Sequence, residues 1–254
     1  MKNKIKYFLT FLILSSAVAA QPHAHKRNSY GALYFSETEV KSIQDIIGGE
    51  VVAGEDIDKT KFLETIGRYD IIHLATHTEI DNLHPLNSRF IISSLPDSTD
   101  ENNSVYVSDI YPLNLNAKLA TLSSCNTGGG KLAKGEGIMS LARAFKFAGC
   151  PSVVMSLWEI DDISTASIMK EFYLGLKNGM KKDVALREAK LAYLQKSNSK
   201  TAAPVFWAGA VPIGNLDELN FSAEFSTLHG VFFFSLLFLF FAVVFLILRK
   251  RNAA

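Results

Sequence analysis

The chain is short of charge and of cysteine, and these shortages limit what it can be. A formal net charge of +1 over 254 residues provides no basic surface, so no nucleic-acid partner is expected. The glycines at 128–130 are followed by Lys131 and Leu132. This segment therefore does not have the residue spacing of a phosphate-binding loop. No second ligand cluster accompanies the carboxylates at 159–162, so neither metal nor cofactor is expected. The length suits one domain of the size of an enzyme domain, together with accessory segments, and the sequence has no internal repeat.

The two cysteines are not expected to form a disulfide. Cys125 follows one predicted strand, whereas Cys150 precedes the next, and a helix runs back across the sheet between them. Their sulfur atoms would then lie roughly a strand length apart, about 17 Å. A disulfide needs Cα atoms within about 7 Å of each other. Cys150 is therefore interpreted as a small, buried apolar residue.

The first residues predict an export signal. Three lysines precede an apolar run over residues 8–14, and Ala17-Val18-Ala19 provides a cleavage site of the small-x-small type. This order predicts a signal peptide over residues 1–20. The alternatives are an uncleaved N-terminal anchor and a buried helix. An uncleaved anchor would leave the following domain on the same side of the membrane.

The last residues predict a membrane span. Residues 231–248 hold no charged side chain, and the basic tail at 249–254 follows directly, which predicts a transmembrane helix over 229–248 with a cytoplasmic C-terminus. The predicted location is a single-pass membrane protein whose domain lies on the outer, periplasmic or extracytoplasmic, side. Between the terminal segments, the predicted organisation is a domain over 21–215 and a linker over 216–228.

Apolar runs of strand length alternate with amphipathic helices along the domain. Strands are predicted at 51–53, 71–75, 89–93, 119–123, 152–157 and 206–213, and helices at 37–47, from 58 or 60 to 66, 138–147, 164–177 and 183–195. Runs with almost no polar alternation suit parallel strands covered on both faces. The pattern therefore predicts an α/β fold in three layers with a mostly parallel sheet.

Two of these strands end at residues capable of nucleophilic catalysis. The strand at 71–75 leads to His77, and the strand at 119–123 leads to Cys125. In a parallel sheet both side chains emerge at the carboxyl edge, where sites are built. A thiol beside an imidazole can perform acyl transfer. The alternatives are a buried cysteine beside a flexible turn and an ordinary loop histidine. His73, inside the strand, is interpreted as a core histidine with its hydrogen bonds satisfied.

Carboxylates follow the third buried strand at Glu159, Asp161 and Asp162. They can bind a basic side chain of a substrate, or they can cap the helix that starts near Ser164. The sequence leaves both interpretations open.

Together these segments resemble the CHAT-domain family, the caspase- and separase-like cysteine peptidases of bacteria. The resemblance runs from about residue 33 to 214 and lies in the stretches 73–77, 86–90, 122–128, 135–145, 156–162, 172–173, 185–186 and 207–208. It implies a caspase-like α/β fold and a catalytic dyad of His77 and Cys125. It further implies an oxyanion hole from backbone N–H groups near Thr78 and Cys125, and a substrate pocket at Asp161 and Asp162.

Two features depart from the family's usual pattern. Thr78 stands where relatives usually have glycine directly after the base histidine, and the tetratricopeptide repeats that relatives commonly carry are absent from residues 1–254. The predicted function is a membrane-anchored cysteine endopeptidase that cleaves protein or peptide substrates, with partner proteins supplying the recruitment that repeats provide elsewhere. The alternative is a non-catalytic signalling or binding module on the same fold.

Overall fold

The computed structural model describes residues 7–11, 36–53, 57–92, 101–123, 136–158 and 160–221. The strands in these ranges are β1 (Tyr7–Phe11), β2 (Glu50–Ala53), β3 (Ile71–Ala75), β4 (His77–Glu79), β5 (Arg89–Ile91), β6 (Ser104–Tyr106), β7 (Leu119–Leu122), β8 (Ser152–Ser156) and β9 (Ala210–Gly214). The α-helices are α1 (Ser36–Ile47), α2 (Lys59–Thr65), α3 (Val107–Ile110), α4 (Glu136–Phe147), α5 (Asp162–Lys177) and α6 (Lys182–Lys196). All of these elements belong to one unit, Ile5–Asn220.

A six-stranded mixed sheet forms the centre of this unit, in the order β2-β1-β3-β7-β8-β9. Every neighbouring pair is parallel except β8 and β9, which are antiparallel. A second sheet, β4-β5-β6, is antiparallel. The predicted α/β fold with a mostly parallel sheet is therefore confirmed. The final strand is shorter than predicted, because a 3₁₀ turn at Pro204–Phe206 takes up the start of the predicted run.

Both faces of the large sheet are covered, which explains the continuous apolar character of its strands. On one face, Ile72 of β3 and Leu122 of β7 join a core cluster with Phe62 of α2 and Phe145 of α4. The alternate residues of the same strands point to the other face, where α1, α5 and α6 pack together. The predicted helix end after α4 is also confirmed, since Gly149 has a φ of 109°.

Strand β1 lies in the segment predicted to be a signal peptide. Its backbone pairs in parallel with β2 on one side, from Phe8 opposite Glu50, and with β3 on the other, from Tyr7 opposite Ile71. The structure therefore uses the same residues as an interior strand of the sheet. Cleavage after residue 20 stays a prediction, and it would separate this strand from the rest of the domain.

The C-terminal part of the described chain packs against α6. The backbone N–H of Lys182 donates to Leu216 O at 2.9 Å, and its ammonium donates to Asp217 O at 2.6 Å. Leu219 is buried. The first residues of the predicted linker thus contact the domain. Within the described ranges, no helix has the length and apolar character needed to cross a bilayer; the predicted span at 229–248 lies outside them.

Removing residues 1–20 tests whether β1 belongs to the folded domain. We expect a chain that begins at Gln21 to lose the cooperative thermal unfolding of the full chain, because β2 and β3 would be left with unpaired backbone groups. The measurement is circular dichroism during heating. A chain ending at Phe221 is the matched control, since it keeps every described strand and should unfold cooperatively. Identical unfolding of all three chains would contradict the role of β1.

Candidate active site

His77 begins the small antiparallel sheet directly beyond the end of β3. Strand β3 ends at Ala75, Thr76 makes a bend, and His77 pairs with Ile91 of β5. The Thr76 hydroxyl donates to His77 O at 3.2 Å, which fixes the bend locally. His77 is 3% exposed. The backbone of His77 thus lies at the junction of the two sheets, and its side chain is buried.

Thr78 has an ordinary extended backbone. It lies inside β4 opposite Phe90 and is buried. Among the described residues only glycines have positive φ values, so Thr78 adopts a conformation open to any residue. A Cβ at this position therefore causes no backbone strain. The use of its N–H as an oxyanion donor stays a prediction.

Strand β7 leaves the sheet beside β3 and at the same edge. The two strands are parallel, with Leu74 opposite Leu122, and the N–H of Ser123 donates to Leu74 O at 2.9 Å. Cys125 itself lies outside the described residues. What the structure brings together is thus the backbone at the two strand ends, one leading to His77 and the other to Cys125.

A buried set of polar side chains lies beneath this edge. We call it the polar cluster, and its members are Glu39 of α1, His73 of β3, Thr121 of β7, Ser123 beyond β7 and Tyr173 of α5. Ser123 is half-buried, Tyr173 is fully buried, and each of the other three residues is at most 4% exposed.

His73 is a core histidine as predicted, but the prediction that its hydrogen bonds are satisfied is wrong for one of its two ring nitrogens. Its Nε2 lies 3.1 Å from Glu39 Oε1, and its Nδ1 lies 3.2 Å from the Tyr173 hydroxyl. Nε2 makes no hydrogen bond within the described residues, although it lies beside the Glu39 carboxylate. His73, Ser123 and Tyr173 lie in stretches that carry the family resemblance, but the sequence does not show that they meet, nor that Glu39 joins them.

Asp161 caps helix α5. Its Oδ2 accepts from the Ser164 N–H at 3.1 Å and from the Ser164 hydroxyl at 3.0 Å. Of the two interpretations of Asp161, the structure shows the capping one. Asp162 is the first residue of the helix, and Glu159 lies outside the described residues. A substrate pocket at Asp161 and Asp162 stays a prediction.

A polar cleft of about 500 Å³ opens beside β4, and its lining begins two residues after His77. Its lining residues are Glu79, Ile80, Asp81, Asn87, Arg89 and Tyr106. Arg89 ties the walls together, donating to Glu79 Oε2 at 2.6 Å and to the Tyr106 hydroxyl at 2.9 Å. Backbone N–H groups of His84 and Leu83 donate to Asp81 and lower the pKa of its carboxyl. Hydrogen bonds thus connect several of the groups that line the cleft.

A smaller cavity lies between the ends of β7 and β8, under α5. Leu122, Met155, Ile168 and Met169 give it a mainly apolar lining. Its volume of about 10 Å³ is close to the minimum for one water molecule. A substrate side chain does not fit there without rearrangement of the lining.

Cys150 is a free, fully buried thiol, as the sequence predicted. Its Sγ donates to Ser152 O at 3.1 Å, and burial raises the pKa of the thiol to about 11. Because the thiolate is the reactive form, Cys150 is unsuited to nucleophilic chemistry at neutral pH.

The mixed sheet, its helical layers and the shared strand edge define an α/β domain of the caspase-like class. The CHAT domain family matches residues 4–215, so the chain belongs to that family. The matched region includes β1.

The chain is also similar to curated proteins and to solved structures. Tetratricopeptide repeat protein 28 of Homo sapiens is 26% identical over 221 residues, covering 75% of this chain, and that of Mus musculus is 25% identical over the same length. The chain spans only 9% of the length of these relatives. This chain is similar to the crystal structure of the Saccharomyces cerevisiae separase–securin complex, with a TM-score of 0.50 and 14% identity. The match covers 84% of this chain and 12% of that one. The Arg-specific cysteine proteinase gingipain R has a TM-score of 0.47 at 9% identity, over 84% of this chain and 47% of that one.

Substitutions at Asp161 separate capping from charge recognition. We expect Asp161→Ala to lower the free energy of unfolding by about 1 kcal/mol because it removes the N-cap acceptor, whereas Asp161→Asn retains capping. Urea unfolding measures both. In a cleavage assay, a strong loss in Asp161→Asn despite unchanged stability would instead indicate that the carboxylate binds a basic substrate.

Proposed function

We propose that this chain is a membrane-anchored cysteine endopeptidase in which His77 and Cys125 form the catalytic dyad. The observation that carries the proposal is the parallel pairing of β3 with β7, which brings the strand ends before these two residues to one edge. Membership of the CHAT domain family supports the same reaction class.

The chemistry follows from the two groups. His77 accepts the thiol proton, and the Cys125 thiolate attacks the carbonyl carbon of the scissile peptide bond. Backbone N–H groups of Thr78 and Cys125 stabilise the resulting oxyanion. His77 then donates the proton to the leaving amine, so that an acyl-enzyme forms and the peptide bond breaks. Water, deprotonated by His77, releases the acid and restores the thiol. No cofactor takes part.

The polar cleft is suited to hold the part of the substrate that leaves first. The proton for the departing amine comes from His77, so the leaving segment passes on the histidine side of the reacting bond. The cleft lies next to His77, since Glu79 and Asp81 follow it along β4 and its exit. Its walls offer carboxylates, a guanidinium and a phenol as hydrogen-bonding groups for a peptide.

The proposed placement has the domain on the outer side of the membrane, anchored by residues 229–248 with a cytoplasmic C-terminus. It is supported by the uncharged run and by the basic residues that follow it. Partner proteins that supply repeat-type recruitment are also proposed. The name of the curated relatives, which refers to tetratricopeptide repeats, supports this idea.

Replacing either member of the dyad should abolish peptide cleavage. Cys125→Ala removes the nucleophile, and His77→Ala should lower kcat by about 10²–10⁴-fold because general acid–base catalysis is lost. The measurement is cleavage of a peptide library by the full chain in detergent. Cys150→Ala is the matched control, because it removes a buried thiol that the proposed reaction does not use.

The reactivity of the thiol tests the same proposal without a known substrate. In the active dyad, the alkylation rate of Cys125 should reach half of its limiting value below the pKa of free cysteine, about 8.5. Cleavage that persists in Cys125→Ala would end the proposal. An intact chain that cleaves nothing and whose Cys125 titrates like free cysteine would indicate a non-catalytic signalling or binding module.

A further inference from the structure

The polar cluster lies in a buried layer between the large sheet and helices α1 and α5, where most of the other buried side chains are apolar. On this face of the sheet, His73 and Thr121 stand opposite each other in register and face α1 and α5. Burying a carboxylate, an imidazole and a phenol costs free energy unless each finds partners. Since an apolar layer would have served packing alone, the cluster calls for another explanation.

The contacts of the cluster form one continuous chain. The Thr121 hydroxyl lies 2.9 Å from the Tyr173 oxygen, which lies 3.2 Å from His73 Nδ1. His73 Nε2 faces Glu39, and the Ser123 hydroxyl donates to the same Glu39 oxygen at 2.6 Å. Burial raises the pKa of Tyr173 well above its usual range, and the Glu39 charge adds to this effect. The phenol therefore stays neutral and available as a hydrogen-bond donor.

Ser123 is where this chain reaches the edge of the sheet. Its N–H donates to Leu74 O at 2.9 Å, and its hydroxyl makes a bond to Glu39 of the length expected for a charge-assisted contact. One contact ties Ser123 to β3, and the other ties it to α1. Ser123 stands two residues before Cys125 in the sequence. Ser123 itself, the last described residue before Cys125, is thereby held from two sides.

We propose that Ser123 and Glu39 are positioning residues for Cys125, with His73 packed beside the Glu39 carboxylate. The inference rests on the proposed function only in taking Cys125 as the reacting group. Glu39 is suited to the role because it is only 4% exposed, so water has little access to the oxygen that accepts from Ser123. Loss of the contact would free the exit of β7 without removing any group that touches the substrate.

The test compares four variants of the full chain in detergent. Ser123→Ala removes the donor, Glu39→Gln removes the charge, and Ser123→Thr keeps the hydroxyl. Ser152→Ala is the matched control, because Ser152 is a buried serine at the far end of β8, facing the same side of the sheet. Its hydroxyl makes no hydrogen bond within the described residues. The readouts are the rate of alkylation by iodoacetamide at Cys125 across pH, followed by peptide mass spectrometry, and the thermal unfolding midpoint.

We expect Ser123→Ala and Glu39→Gln to lower the alkylation rate at neutral pH by about tenfold or more, because a small displacement separates the thiol from the imidazole. Ser123→Thr should recover most of the rate, and Ser152→Ala should match the wild type. Rates in Ser123→Ala and Glu39→Gln equal to that of Ser152→Ala would overturn the inference. A fall in the alkylation rate that merely parallels the fall in each variant's unfolding midpoint would also overturn it, because a general loss of stability would explain both. If Ser123→Ala does not fold, the alkylation rates of Glu39→Gln and Ser123→Thr test the inference in its place.

The outcome for the proposed function is read separately, from the wild-type chain. If wild-type Cys125 titrates like free cysteine and no peptide is cleaved, the peptidase proposal fails. The positioning inference then stands only if the limiting rate at high pH still differs about tenfold between the wild type and Ser123→Ala. Equal limiting rates would overturn it as well.

Discussion

Parallel pairing carries the carboxyl ends of two strands to one edge of a sheet, and the pairing of β3 with β7 is the constraint on which this molecule's site depends. It puts Leu74 opposite Leu122 and lets Ser123 bond back to β3. An antiparallel arrangement would send the two exits to opposite edges. The antiparallel partner of the large sheet is instead β9, at its far side, where it does not disturb the central strands.

Strands β3 and β7 have apolar side chains on one face of the sheet and polar side chains on the other. Ile72 and Leu122 pack into an apolar core, whereas His73 and Thr121, their neighbours in sequence, join a hydrogen-bonded chain. The apolar face stabilises the domain through burial. The polar face adds directional contacts, and its Glu39–Ser123 bond reaches the point where β7 leaves the sheet. Stability and positioning are thus assigned to opposite sides of the same two strands.

Several predictions from the sequence agree with the structure because they depend on local pattern. Buried strands, the Gly149 helix end and the core position of His73 follow from periodicity and from residue chemistry. The antiparallel direction of β9 was not predictable, since an apolar run has no direction. Residues 7–11 have the composition of an export signal, yet they form an interior strand; apolar runs serve both purposes equally well.

Local chemistry was enough to identify His77 and Cys125 as candidates, because a histidine and a cysteine just beyond apolar strands are recognisable in one dimension. The partners around them are not. Glu39, Ser123 and Tyr173 are ordinary residues on a helix, a strand exit and another helix, and each becomes significant only through atoms contributed by the others. Hydrogen bonds between segments far apart in the chain depend on how the helices cross the sheet, and that crossing is set by packing of the whole domain.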